Sequence, residues 1–153
     1  MDTKKLIEQV KRLRQEMGLG MMEIKMALEE ANGDERKAKQ ILKEKGYKKA
    51  EKRADKETHE GRVFCYEHGN GKLAVMVELL CETDFVAKND DFVRLGKDLC
   101  LQVAGMSPRD SQELLEQDFV KDGSKKVGDL VKEFIAKSGE NVKVGRIERF
   151  EIC

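Results

Sequence analysis

At Glu60 the apolar pattern of this chain changes period. Before it, apolar residues recur three and four positions apart, as on one face of a helix. After it Leu73, Val75, Val77 and Leu79 fall at every second position, as on one face of a strand. A chain that reads helical first and strand-like second is expected to be α+β, with a helical module followed by an antiparallel sheet that has helices packed on it.

The helical part divides at its turn residues. Leu6, Ile7, Val10, Leu13 and Met17 mark a first helix behind the possible caps Asp2 and Thr3, and Gly18 with Gly20 stop it. Met22, Ile24, Ala27, Leu28 and Ala31 mark a second helix beginning near Met21 and ending at the turn dipeptide Asn32-Gly33. Asp34 then caps a third helix that runs through Ala38, Ile41 and Leu42 and is expected to stop at Gly46. The expected organisation is a three-helix module over 1–46, a charged, loosely held and partly helical linker over 47–59, and an α+β core over 60–153.

Within that core, Arg62 to His68 is rich in strand formers and Gly69-Asn70-Gly71 is a hairpin turn. The far face of the return strand holds Ala74, Met76 and Leu80, so cover on both sides is expected. Phe92, Leu95, Leu99 and Val103 mark an amphipathic helix that ends before Ser107-Pro108, and a less regular acidic segment runs from Ser111 to Asp122. Val127, Leu130, Val131, Phe134 and Ile135 mark another helix stopped by Gly139. The end of the chain alternates as a third strand, which makes the expected sheet three-stranded and antiparallel.

Composition narrows the function classes. Charged residues are 39% of the 153 and aromatics 5%, and no window approaches the apolar length of a membrane span. The Lys-rich start lacks the apolar stretch of a signal peptide, so no membrane association and a cytoplasmic location are expected. The first 56 residues hold 16 Lys and Arg against 11 Asp and Glu, the remainder 14 against 19. The basic excess alternates in sign like a solvated helix face and has no stacking aromatics in its helices, so no direct nucleic-acid contact is expected.

Cys65, Cys81, Cys100 and Cys153 are too far apart for metal-ligand spacing, and only His59 and His68 could supplement them. The first three fall in apolar patterns and are expected to be buried, whereas Cys153 is expected to be accessible. No phosphate loop, Ser-His-Asp set or Cys-His pair stands out, so neither an enzyme nor a cofactor or metal is expected.

The most unusual stretch is Cys81-Glu82-Thr83-Asp84-Phe85-Val86-Ala87-Lys88-Asn89-Asp90-Asp91-Phe92. Thr83 and Asp84 favour helix N-caps, and an aromatic follows them directly. Should one helix run from 83 to 104, Phe85 lies seven residues before Phe92 and shares its buried stripe. Should Thr83 cap a short turn instead, Phe85 faces solvent. Asp84, Asp90 and Asp91 read as cap and helix-start residues, since they lack the spacing and glycine of a calcium loop.

This run resembles the signature segment of the elongation factor Ts family. The resemblance extends to Val10-Lys11-Arg12-Leu13-Arg14, Gly20-Met21-Met22, Ala31-Asn32-Gly33-Asp34 and Lys45-Gly46 in the helical module. Glu60-Gly61 and the closing Gly139-Glu140-Asn141 with Arg149-Phe150-Glu151 also resemble it. Met17, Leu19 and Ile24 depart from the family's usual Thr, Ala and Cys. The resemblance implies an N-terminal ubiquitin-associated-like module and a partner, the GTPase elongation factor Tu. It further implies that Thr83, Asp84, Phe85 and Val86 form a protruding tip. That tip dislodges the GTPase's Mg²⁺ and phosphate-binding elements, so that GDP leaves. Leu13, Met21 and Met22 are implied as a secondary contact.

A different function competes with this one. Met17-Gly18-Leu19 is similar to the loop with which some ubiquitin-associated domains bind ubiquitin, which would make the chain a protein-binding module beside an unrelated α+β domain. Finally, a lone three-stranded sheet leaves an edge and one face uncovered, so a homodimer through the core is expected. Cys153 would cross-link the copies only if their last strands meet.

Overall fold

The computed structural model describes residues 3–153; Asp2, one of the two expected caps, lies outside them. Helix α1 (Thr3–Met17) ends at Gly18, whose φ of +67° is the left-handed conformation that lets its N–H reach back to the Arg14 carbonyl at 2.9 Å. Helix α2 (Met21–Glu30) closes through Asn32 and Gly33, both at positive φ. Asp34 caps helix α3 (Glu35–Arg53) by accepting the N–H groups of Arg36 at 2.9 Å and Lys37 at 3.2 Å. Leu13, Ile24, Ala27, Leu28, Ala38 and Leu42 fill the small core between these helices. Ile7 and Met22, placed in the buried stripes by period alone, are exposed.

Gly46 does not stop the third helix. It is buried in the middle of α3, where a Cβ would stand 2.9 Å from the Ala136 methyl. Glycine here serves close packing rather than chain reversal, and α3 runs through most of the expected linker. That segment is held, not loose. Ala50 is buried in the second core, and Tyr47 Oη donates to Asp129 Oδ1 at 2.7 Å with the ammonium groups of Lys43 and Lys132 over its ring.

The sheet has the order β1 (Glu60–His68), β2 (Leu73–Cys81), β5 (Val142–Glu151), all antiparallel. The β1–β2 register runs from Glu60 opposite Cys81 to His68 opposite Leu73. In β5 the register slips between Ile147 and Val144, opposite Val77 and Leu79. Glu78 fits that bulge, since its carboxylate accepts the Arg146 N–H at 2.9 Å and occupies the space a Cβ at Gly145 would need.

Between β2 and β5 the chain makes helix α4 (Asp84–Ala87), helix α5 (Asp90–Met106), helix α6 (Ser111–Glu116), a small hairpin of β3 (Asp118–Phe119) and β4 (Asp122–Lys126), and helix α7 (Val127–Ser138). The acidic segment expected to be irregular thus forms a helix and a hairpin. Buried Gln102 of α5 secures that hairpin, donating to the Asp118 carbonyl at 3.0 Å and accepting the Val120 N–H at 2.9 Å. The main core lies between one sheet face and α5 with α7. Its aromatic centre is Phe92, with ring centroids 6.1 Å from Phe64 and 5.8 Å from Phe134.

The other sheet face is open. Val63, Cys65, Ala74, Met76 and Phe150 are exposed there, and Leu80 is half-buried. Among the described residues, cover on both sides of β2, expected from its nearly continuous apolar run, is therefore absent, because every helix of the core packs on the same side. Cys65 is exposed for the same reason: its position in β1 points it away from Phe64 and Tyr66. Cys81 and Cys100 are buried and Cys153 is exposed.

Candidate functional site

The Cys81–Phe92 stretch breaks into two helices. Thr83, with extended φ and ψ of −129° and 156°, is the N-cap of α4, and Asn89 is the N-cap of α5, accepting the Asp91 N–H at 2.8 Å. The break at Lys88-Asn89 rotates Phe85 away from the stripe of Phe92. Phe92 is fully buried, whereas Phe85 is 83% exposed. A large apolar ring held out in water on an ordered turn is informative, because nothing in the packing of this chain requires it there.

Beneath the ring, the turn is tied down at several points. Thr83 Oγ1 accepts the Val86 N–H at 3.4 Å, and the carbonyls of Thr83 and Asp84 accept the N–H groups of Ala87 at 3.2 Å and Lys88 at 3.1 Å. Lys88 Nζ reaches Asp84 Oδ2 at 2.8 Å, which holds that carboxyl below its ordinary value. Val86 is half-buried against the core and Ala87 is buried, so one side of the turn is anchored and the Asp84-Phe85 side faces out.

The residues flanking the turn carry a network of charged hydrogen bonds. Glu82 accepts the Asn141 N–H at 2.6 Å and the Nε and Nη2 N–H groups of Arg53, at 3.1 and 2.5 Å. These, led by the Asn141 N–H, keep its carboxyl below the ordinary value. Asn141 is buried, and its side-chain amide donates to the carbonyls of Ala54 at 3.3 Å and Lys56 at 2.8 Å, where α3 ends. Glu140 accepts from Thr83 itself. Burial, helped by the nearby Glu140 carboxylate, pushes the Cys81 thiol up to about 11. Asp91, one turn further on, is held below its ordinary value by Lys137.

The sequence reading thus places Thr83, Asp84, Phe85 and Val86 together on one capped turn. It did not find Arg53, Glu82, Glu140 or Asn141, which meet at the base of that turn from α3, the end of β2 and the start of β5. Their sequence separations, 29 between Arg53 and Glu82 and 59 between Glu82 and Asn141, leave no local periodicity to read. The one available signal was the Gly139-Glu140-Asn141 triplet.

The second expected set does not hold together. Met21 and Met22 are exposed at the start of α2, but Leu13 is fully buried in the three-helix core. It spaces the helices and offers no side-chain surface to a partner.

Comparison with known proteins bears on this geometry. The family model described as "Elongation factor TS" matches residues 82–152, which include the turn and the network beneath it. Over 95% of this chain and 96% of the relative, the sequence is 41% identical to elongation factor Ts of Leptospira biflexa. It is 40% identical to that of Coprothermobacter proteolyticus over 94% and 95%, and 39% identical to that of Thermotoga maritima over 94% of each. These alignments run over 186 to 190 positions, more than the 153 residues here, so the relatives carry residues inside the aligned span that have no counterpart in this chain.

Proposed function

From the premise that this chain belongs to the elongation factor Ts family, and so to the translation elongation factors, we propose that it binds the GTPase elongation factor Tu in its GDP form and speeds GDP release. The observation that carries the reading is Phe85, 83% exposed on a capped and anchored turn. A turn ordered before binding loses little conformational entropy when it docks, so the burial of the ring is available as binding energy.

The mechanism asks for no catalytic group. A GTPase holds GDP through phosphate-cradling backbone donors and a Mg²⁺ ion that demands near-octahedral oxygen geometry. The Phe85 ring enters between packed elements of the GTPase and displaces those that position the ion and phosphates. Thr83, Asp84 and Val86 shape the rim of the wedge. Exposed Met21 and Met22 make a second contact, and Leu13 acts only by holding the helices that present them. By linkage, the factor by which the bound protein weakens GDP equals the factor by which GDP weakens the complex.

The assay is release of a fluorescent GDP analogue from elongation factor Tu. Acceleration at micromolar concentration is expected, and its absence would refute the reading. The setting is cytoplasmic translation; no described helix is long and apolar enough to cross a membrane.

The open sheet face supports a second part of the proposal, a homodimer. Val63, Met76 and Phe150 form an uncovered apolar surface on a sheet with two free edges, and a second copy covers it by two-fold symmetry. Exposed Ile152 and Cys153 continue from β5, so the two terminal thiols approach one another only where the last strands meet. A monomer mass by light scattering at tens of micromolar would end this part, and a dimer that persists in reductant would exclude a disulfide as its cause.

A further inference from the structure

We infer that Glu140 is a positioning residue for the Phe85 turn, acting through Thr83; this rests on the reading of Phe85 as the inserting side chain. Glu140 lies 57 positions after Thr83, and its carboxylate takes both donors of that residue: the N–H at 3.0 Å on Oε1 and the hydroxyl at 2.6 Å on Oε2. A threonine hydroxyl has one proton and two lone pairs. With the proton committed to Glu140, the lone pairs are left for the turn, and Oγ1 accepts the Val86 N–H at 3.4 Å. The long capping bond is therefore oriented by the short charged one.

The remaining polar group of Thr83, its carbonyl, accepts the Ala87 N–H at 3.2 Å and the Cys81 thiol at 3.1 Å. Every polar group of Thr83 is engaged, by partners from β2, α4 and the corner between α7 and β5. That corner is itself rigid. Gly139 closes α7 in the left-handed conformation with its N–H on the Ile135 carbonyl at 2.8 Å, and Asn141 is pinned by Glu82 and the end of α3. Glu140 thus ties the base of the turn to the core and leaves the ring free to enter a partner.

The substitution Glu140→Gln keeps the size of the side chain but replaces one acceptor with a donor. Facing an N–H and an O–H, the amide either sets donor against donor or turns the hydroxyl so that its proton loses its acceptor. The turn then wanders while its residues are unchanged. The experiment is a double-mutant cycle on kcat/KM for fluorescent GDP release, using the full chain and its elongation factor Tu.

In the native background Glu140→Gln is expected to lower kcat/KM by about tenfold, the scale of one hydrogen bond to a charged group. In the Phe85→Ala background the same change is expected to cost less than about twofold, since no ring remains to be positioned. Equal losses in both backgrounds, or no loss in the native one, would overturn the inference. Thr83→Val cuts the same link from the other side and must be non-additive with Glu140→Gln; it also serves should melting show that Glu140→Gln fails to fold. Should Phe85→Ala itself leave exchange unchanged, the reading of Phe85 falls and this inference with it. Should Phe85→Ala slow exchange while Glu140→Gln and Thr83→Val do not, only the positioning role falls.

Discussion

Phe85→Ala and Phe92→Ala make opposite changes in two properties, and the size of each effect follows from burial. A phenylalanine side chain offers roughly 200 Å² of apolar surface. With Phe85 83% exposed, only about a sixth of that is shielded in the free protein, worth under about 1 kcal/mol at 25 cal/mol per Å². Alanine's better helix propensity returns about 0.5 kcal/mol of it. Folding stability is therefore expected to be almost unchanged. Burial of the rest of the ring in the partner is worth about 2 kcal/mol or more as an interfacial anchor, so kcat/KM for GDP release is expected to fall about thirtyfold or more.

Phe92 is fully buried between Phe64 and Phe134, and its truncation is expected to cost about 3–5 kcal/mol through lost transfer energy and the cavity left behind. For a chain of this size that lowers the melting temperature by roughly 6–20 °C. Calorimetry and the fluorescent-GDP assay on both variants separate the roles. A melting temperature of Phe85→Ala as low as that of Phe92→Ala would show that the ring is structural, and wild-type exchange by Phe85→Ala would show that it is not the wedge.

Gly96→Ala places a methyl 2.2 Å from the Phe64 ring, so overpacking outweighs the helix propensity gained and a net loss of about 1–2 kcal/mol is expected in urea unfolding; neutral or stabilising behaviour would contradict that packing. Under native conditions at pH 8, a thiol reagent is expected to titrate Cys65 and Cys153 quickly and to spare Cys81 and Cys100, both buried and pushed up to about 11. If the open sheet face is the dimer interface, Cys65 becomes protected as concentration rises; equal reactivity in dilute and concentrated dimer would place the interface elsewhere. Glu82 has a folded pKa below its ordinary 4.5, so its stabilisation is present above that value and is lost as pH falls through the folded pKa. Glu82→Gln is therefore expected to lower the urea midpoint at pH 7 by an amount that shrinks as pH falls through the lowered folded pKa of Glu82, and a difference that stays constant as the pH is lowered would refute the coupling.

Local signals were legible where one short segment supplied the whole answer. Asp34 and Thr83 are caps because each side chain bonds to an N–H two or three residues on, and the hairpin register follows from alternation across a four-residue turn. The two possible places for Phe85 were also written locally, but choosing between them was not. That required the break at Lys88-Asn89, which lets Val86 and Ala87 pack on the core while Phe85 turns outward.

What the sequence determined by itself is thus the order and kind of most elements, the α+β class and the cap at Thr83, because periodicity and capping act over a few residues. The tertiary structure alone decided three other things. It buried Gly46 inside α3, where close approach to Ala136 outweighs glycine's tendency to end a helix. It left one sheet face bare although β2 is apolar on both sides, because α5 and α7 pack on the same side. It also brought Arg53, Glu82, Thr83, Glu140 and Asn141 into one network, in which Asn141 bonds to Glu82, 59 positions away, and to Ala54, 87 positions away. Such groupings depend on where whole elements cross in space, and no pattern with a period of two or 3.6 residues records that.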